Sequence, residues 1–64
     1  MARIKGVDIP NNKQVVISLT YIYGIGQSLA KTILKNVGID PTTKTGDLSQ
    51  EDLVTIRDEI NKHL

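Results

Sequence analysis

Two glycines one residue apart, Gly24 and Gly26, separate two stretches whose apolar residues recur with helical spacing. Gly24 can adopt the positive φ that so tight a turn requires, and Ile25 can point back between the two helices. At the start of the second helix, the N–H groups of Gly26, Gln27 and Ser28 lack partners within the helix. Such a turn is typical of a helix-hairpin-helix element, in which a phosphate binds at the positive end of a helix.

The Gly-x-Gly pattern occurs by chance in many chains, so the residues around it carry part of the argument. Ala30 is small where the preceding helix must cross closely, and Ile33 and Leu34 continue an apolar stripe. Lys31 is close enough to the turn to add a screened positive charge for a backbone phosphate. The alternative is a plain structural turn between packed helices. A dinucleotide-binding fingerprint does not fit, because it needs a preceding strand, a third glycine and a later acidic residue.

Apolar periodicity predicts an all-α fold, a small three-helix domain preceded by an extended N-terminal arm. The arm ends at Pro10, which favours an extended residue before it, and Asn11 and Asn12 are candidate N-caps for the first helix. The β-branched run 15–17 would also suit a strand, but the glycine turn needs a helix before it. We expect a single domain over 1–64, with the arm at 1–10 and helices at 13–22, 27–37 and 49–64.

Local signals also predict how two of these helices end or begin. Gly38 and Ile39 follow the second helix in the order of a Schellman motif, in which Ile39 can contact Leu34. Ser49, followed three residues later by Asp52, forms a variant capping box at the start of the last helix.

The size and composition of the chain exclude several classes of protein. With 64 residues and no cysteine, the chain can form only a thin core and has neither disulfides nor thiolate metal ligands to stabilise it. No apolar run approaches ~18 residues, and the start of the sequence does not resemble a signal peptide. We therefore expect a soluble cytosolic protein that gains order from a partner.

Charge is unevenly distributed although the net charge is +1. Residues 1–35 contain five basic residues and one acidic residue, whereas residues 36–64 contain three basic and six acidic ones. The basic half contains the glycine turn, which indicates one face toward a polyanion and another toward solvent or a protein. An ordinary mixed surface is the alternative.

The remaining polar and aromatic residues do not indicate catalysis. His63 is the sole histidine, so we expect no metal site and no cofactor. The spacings of Asp58 to Lys62 and of Glu59 to His63 suit ion pairs on a helix surface. We therefore predict that the protein is not an enzyme. One or both of the tyrosines, at positions 21 and 23, are interpreted as packing between helices, with stacking on a base as the alternative.

The segments 2–10 and 19–26, together with Gly46-Asp47-Leu48, closely resemble the amino-terminal half of the bacterial small-subunit ribosomal protein thirteen family. The resemblance implies a helix-two-turns-helix domain in the head of the small ribosomal subunit, bound to its ribosomal RNA in the cytoplasm. It also implies a role in intersubunit bridges, through large-subunit protein five and large-subunit RNA, and a position beside small-subunit protein nineteen. Family members contact transfer RNA through a basic carboxyl-terminal tail. The sequence has no such tail, so this contact is assigned to no residue.

The family's pattern transfers to this chain by position at the glycine turn, at the arm and at Lys13. Gln14 stands where the family commonly has a basic residue, which weakens the charge at the start of the first helix. Combined with the analysis of the turn, the resemblance gives nine candidate RNA-binding residues: Arg3, Lys5, Lys13, Gly24, Ile25, Gly26, Gln27, Ser28 and Lys31. Two other functions stay open, a DNA-binding helix-hairpin-helix module of a repair enzyme and a helical protein-interaction domain.

Overall fold

The structure, a computed structural model, describes residues 2–4 and 6–63, with only the backbone of residues 2 and 3. In this part of the chain, the elements in order are β1 (Ala2–Ile4), β2 (Val7–Ile9), α1 (Val15–Leu19), α2 (Gln27–Val37), a 3-10 turn (Thr45–Asp47) and α3 (Gln50–His63). The prediction of a small three-helix domain with a helix-hairpin-helix element is confirmed. Leu64, the last residue of the predicted third helix, lies outside the described residues.

The amino-terminal segment is extended, as predicted, but it is a hairpin and not an arm. β1 and β2 pair antiparallel, with Ile4 opposite Val7, and Gly6 adopts the positive φ of 77° that their tight turn requires. Ile4 and Ile9 are both buried in the core. The alternating apolar residues of this segment therefore pack against the domain, because burial of β-branched side chains on one face of a hairpin is favourable.

Helix α1 is shorter than the predicted range 13–22, and its start differs from the prediction. Neither predicted asparagine cap precedes it directly, since the N-cap residue is Gln14, whose side chain makes no capping hydrogen bond. The backbone N–H groups of Val15 and Val16 instead donate to the carbonyl oxygens of Thr43 and Pro41, at 2.7 and 3.3 Å. A distant segment of the chain therefore caps α1.

After Leu19 the backbone tightens into successive turns. The N–H groups of residues 20, 21 and 22 each donate to the carbonyl three residues earlier, at 3.1 Å in every case. This i to i−3 pattern is that of a 3-10 turn, which commonly ends an α-helix. Residues 20–22, which the prediction included in the first helix, therefore form a turn that leads to Gly24.

The predicted Schellman motif after α2 and the predicted capping box before α3 are both present. Gly38 has a φ of 76°, and the N–H group of Ile39 donates to the Leu34 carbonyl at 3.0 Å, as in a Schellman motif. At the start of α3, Ser49 Oγ accepts from the Asp52 N–H group at 3.1 Å, while an Asp52 carboxylate oxygen accepts from the Ser49 N–H group at 3.3 Å. Both motifs satisfy backbone groups that a bare helix end would leave unpaired.

The core forms around α2, which packs against α1 on one side and α3 on the other, while β1 packs against α3. The apolar side chains of the core come from every one of these elements and from the glycine turn. They are Ile4, Ile9, Val15, Val16, Leu19, Ile22, Ile25, Ala30, Ile33, Leu34, Ile56 and Ile60. The glycine turn is therefore fixed from the inside by the same core that holds the helices.

The segment before α1 is joined to the segment before α3 by backbone hydrogen bonds. The N–H groups of Thr45 and Gly46 donate to the carbonyls of Lys13 and Asn11, both at 3.0 Å. Gln14 and Lys44 form an antiparallel bridge between the two segments. These contacts position the start of α1, and through α1 they position the glycine turn.

Candidate nucleic-acid interface

The glycine turn is anchored by apolar side chains on its inner side. Gly24 has a φ of 90°, a conformation that glycine adopts without strain. Ile22 and Ile25 are buried, and the N–H group of Ile25 donates to the Ile22 carbonyl at 3.1 Å. Ile25 therefore lies in the core, where the sequence analysis placed it, and it holds the start of α2 against the rest of the domain.

The start of α2 is open to solvent. Gly26 is its N-cap residue, with extended backbone angles, and its carbonyl accepts from the Ala30 N–H group at 3.0 Å. Gln27 and Ser28 are exposed, and the first turn of α2 contains no acidic side chain. In the described part of the chain, no side chain caps this helix start, and no acceptor contacts the N–H groups of Gln27, Ser28 and Leu29. The partial positive charge at this end is therefore uncompensated.

The fold itself does not require a glycine at position 26. Its φ of −90° is available to any residue, and a Cβ atom added there would meet no other described atom within 4 Å. Gly24, in contrast, needs its positive φ for the turn. The space beside Gly26 allows another molecule to approach the backbone closely.

The starts of the other two described helices are covered by backbone carbonyls or compensated by a cap and acidic side chains. The carbonyls of Thr43 and Pro41 cover the start of α1. Ser49 caps α3, and Glu51 and Asp52 lie in its first turn. Among the helices that the structure describes, α2 is thus the one whose start is available to an anion.

The basic candidates differ in what the structure says of them. Lys31 is exposed on α2, one turn after the open start, and Lys13 is exposed in the loop before α1. Arg3 belongs to β1 and pairs through its backbone with Asp8, but its side chain is not described. Lys5 lies outside the described residues. The roles of these four residues in binding RNA therefore stay predictions.

Lys44 is a basic residue of the acidic half of the chain, residues 36–64. It is exposed, and its bridge to Gln14 brings it to the loop that contains Lys13. The pairing joins residues 30 positions apart without a helical or strand period. No local pattern in the sequence could have indicated it.

Tyr23 does not pack between helices, so the expectation that one or both tyrosines do so fails for this residue. Its side chain is 96% exposed, and that of Tyr21 is 53% exposed. Ile22 and Ile25 take the inner side of the turn, which leaves the aromatic rings outside. Along this turn, buried isoleucines alternate with exposed tyrosines, which is why the rings do not pack in the core.

The carboxylates of α3 form contacts on the helix surface. The predicted pair of Glu59 and His63 is present, with 3.1 Å between Glu59 Oε2 and His63 Nε2. The predicted pair of Asp58 and Lys62 is not formed. Asp58 instead accepts from the adjacent Arg57, and Lys62 lies 3.4 Å from Glu59, because the i,i+3 position brings its ammonium group to that carboxylate.

No group of three or more histidine, cysteine, aspartate or glutamate side chains in residues 2–4 and 6–63 is arranged to hold a metal ion. None of the helices in the same part of the chain is long and apolar enough to cross a membrane.

These features define the class of the protein: a helix-hairpin-helix domain whose turn leaves the start of its second helix open. The family model described as "Ribosomal protein S13/S18" matches residues 3–64, and the chain belongs to this family. Similar relatives are the "Small ribosomal subunit protein uS13" of Thermotoga petrophila and that of Thermotoga maritima. Each is 56% identical over 63 residues, which cover 98% of this chain and 50% of the relative. The chain thus spans about half the length of the curated relatives it matches.

Proposed function

We propose that the protein is a non-catalytic constituent of the small ribosomal subunit, acting in the cytoplasm during translation and binding ribosomal RNA through the glycine turn. Its family membership and its similarity to relatives named as small-subunit proteins support the ribosomal role. The open start of α2 supports the RNA contact. These two kinds of support are independent, since the first comes from the whole sequence and the second from a few backbone groups.

The geometry at Gly26 supports the proposed RNA contact. A phosphate oxygen beside this residue can accept hydrogen bonds from the N–H groups of Gln27 and Ser28, which have no other acceptor among the described residues. The helix dipole adds ~0.3–1 kcal/mol of favourable interaction with the anion. Lys31 then contributes a solvent-screened charge. This contact binds the RNA backbone and positions the domain, but it does not read the base sequence.

Further contacts would extend the interface along the basic half of the chain. We assign Arg3, Lys5 and Lys13 to phosphate contacts, because the family resemblance places them there. Gly24 and Ile25 act through the backbone and the core, since the buried isoleucine fixes the turn that presents the N–H groups.

The protein partners belong to the same proposal. We assign neighbouring positions to small-subunit protein nineteen and, across the subunit interface, to large-subunit protein five, with α3 available for protein contacts. Four of the six acidic residues in residues 36–64 are on α3, which suits basic protein surfaces. Contact with transfer RNA is assigned to none of the 64 residues.

Replacing Gly26 by aspartate tests the RNA contact. The new carboxylate can accept hydrogen bonds from the first N–H groups of α2, so it fills the proposed phosphate position and stabilises the helix. We expect Gly26→Asp to raise the free energy of unfolding by about 0.5–1 kcal/mol. We expect the same variant to lower the affinity for small-subunit ribosomal RNA at least about tenfold, as measured by filter binding. Because stability and affinity change in opposite directions, unfolding cannot explain the loss.

The matched control is Gln50→Asp, which adds the same charge in the first turn of α3. It should leave RNA affinity within about twofold of wild type. Equal affinity of Gly26→Asp and wild type would contradict binding at the start of α2. Tighter binding of duplex DNA than of ribosomal RNA by the wild-type chain would contradict the ribosomal assignment and favour a DNA-binding module.

A further inference from the structure

Tyr23 presents an aromatic ring that the fold does not use. Its side chain is 96% exposed, although the residues on either side of its turn, Ile22 and Ile25, are buried. Among the described residues, its hydroxyl has no hydrogen-bond partner. Tyrosine is of intermediate burial in folded proteins, and its ring can bury a large apolar area. Its position is therefore informative.

The backbone that carries the ring is fixed on both sides. Before it, the N–H group of Ile22 donates to the Leu19 carbonyl at 3.1 Å. After it, Gly24 adopts a φ of 90° and the N–H group of Ile25 donates back to the Ile22 carbonyl at 3.1 Å. The ring is therefore exposed on an ordered turn, and binding through it would cost little backbone entropy.

Tyr23 also lies close along the chain to the open start of α2. The three residues from Tyr23 to Gly26 span at most about 11 Å even when fully extended. A ligand at the N–H groups of Gln27 and Ser28 can therefore reach the ring with the same nucleotide or an adjacent one.

We infer that Tyr23 stacks on an unpaired nucleobase of the RNA whose phosphate binds at the start of α2. This inference rests on the proposed function, and it adds the class of RNA that the turn prefers. The faces of a base within an uninterrupted duplex are covered by its neighbours, whereas a bulged or looped-out base has a free face for an aromatic side chain. The turn thus selects RNA with an unpaired nucleotide beside the bound phosphate.

The charge around the ring favours RNA over a protein as the occupant. No acidic residue occurs between Ile9 and Ile39, a range that contains three lysines and the turn itself. The first turn of α2, which follows the ring, also has no acidic side chain. A stretch of chain without negative charge suits a polyanion, whereas protein interfaces more commonly have mixed charges at their rim.

Two synthetic RNA hairpins test the inference, one with a single bulged 2-aminopurine nucleotide in its stem and a fully paired twin. We expect the wild-type chain to bind the bulged RNA about tenfold more tightly, and to change the 2-aminopurine fluorescence on binding. Tyr23→Ala and Tyr23→Leu should lose this preference, because neither has a ring. Tyr23→Phe should keep it. Val54→Ala, an exposed apolar position on α3, is the control and should change neither affinity.

The possible outcomes separate this inference from the proposed function. If wild type binds both hairpins equally, or if Tyr23→Ala keeps the preference, the stacking role is wrong. The proposed function still stands in that case if Gly26→Asp weakens binding to ribosomal RNA. If wild type binds neither hairpin nor ribosomal RNA, the proposed function fails and the stacking role with it. Capture of a ribosomal protein by wild type but not by Tyr23→Ala, with unchanged RNA binding, would make the ring a protein contact.

Discussion

At the scale of single residues, two buried hydroxyl groups join three parts of the chain. Ser18 on α1 donates to the Pro10 carbonyl at 2.9 Å, and the Thr45 hydroxyl lies 2.7 Å from Ser18 Oγ and 3.1 Å from the Lys13 carbonyl. Both side chains are completely shielded from water. Because buried polar groups are costly when unpaired, this network specifies one arrangement of the loop before α1.

Replacing Thr45 by valine keeps the shape of the side chain but removes its hydroxyl. Ser18 Oγ then loses its donor, while the Lys13 carbonyl keeps the N–H group of residue 45. We expect the free energy of unfolding in urea to fall by about 1–3 kcal/mol. Thr55→Val is the control, since that hydroxyl is exposed on α3 and bonds within its own helix. Equal effects of the two substitutions would show that the buried network adds no stability.

At the scale of the elements, Glu59 links two helices. One of its carboxylate oxygens accepts from Asn36 Nδ2 on α2 at 2.9 Å and contacts His63 Nε2 at 3.1 Å, while Lys62 lies beside the other oxygen. The hydrogen bond from Asn36, followed by that from His63, lowers the pKa of Glu59 below its ordinary value of 4.5. The packing of α2 against α3 is therefore sensitive to acid.

The direction of this sensitivity follows from the lowered pKa. Because the folded pKa is below the unfolded one, the contribution of Glu59 is fully present above about pH 5 and is lost as the pH falls through the folded pKa. We expect the melting temperature to drop between pH 6 and pH 3, and to drop less in Glu59→Gln. Glu51→Gln, on the same helix, should retain the full drop. Identical pH profiles of Glu59→Gln and wild type would contradict the link.

Some acid sensitivity should persist in Glu59→Gln because of the turn at Asp40. The carboxylate of Asp40 accepts from the backbone N–H group and the hydroxyl of Thr42, at 2.8 and 2.7 Å. These bonds lower the pKa of Asp40, the backbone bond first. Protonation of Asp40 would weaken the turn that directs the Thr43 carbonyl toward α1.

The ends of the helices show which local structures can be predicted from the sequence. The Schellman motif at Gly38 and the capping box at Ser49 were predictable because each involves residues within a few positions of one another. The start of α1 was not, because carbonyls of residues 41 and 43 cap it in place of a local asparagine. Local signals identify helix ends only where no distant segment competes for the same backbone groups.

In the candidate site, too, the features that depend on neighbouring residues can be predicted from the sequence, and those that depend on distant residues cannot. The turn at Gly24 and the burial of Ile25 follow from residues adjacent in sequence. The exposure of Tyr23 depends on which neighbours fill the core, and the position of Lys44 depends on a bridge to Gln14. These two features needed the structure. The roles of Arg3 and Lys5 stay predictions from the family resemblance.

At the scale of the whole molecule, the amino-terminal hairpin is part of the core. Ile9 is completely buried, and a chain of 64 residues commonly retains only ~3–5 kcal/mol of net stability. We expect Ile9→Ala to cost about 2–5 kcal/mol, and Ile9→Val about 0.5–1.5 kcal/mol, in thermal or urea unfolding. The alanine variant should therefore be largely unfolded at 37 °C.

Val54→Ala is the control for this prediction, because Val54 is partly exposed on α3 and its loss should change stability by no more than about 0.5 kcal/mol. The graded effect of the valine variant keeps the test informative even if Ile9→Ala does not fold. An arm lying loosely outside the domain would give no effect at either substitution. That result would contradict the docked hairpin.

The contact between β1 and α3 has a consequence for the order in which the chain can fold. β1 precedes every other described element, and α3 follows all of them, yet the two pack against each other. During synthesis from the amino terminus, the buried Ile4 of β1 has no partner in α3 until nearly all of the 64 residues have been joined. The core of the domain can therefore be completed only after α3 has been synthesised, and not while the first strands are being made.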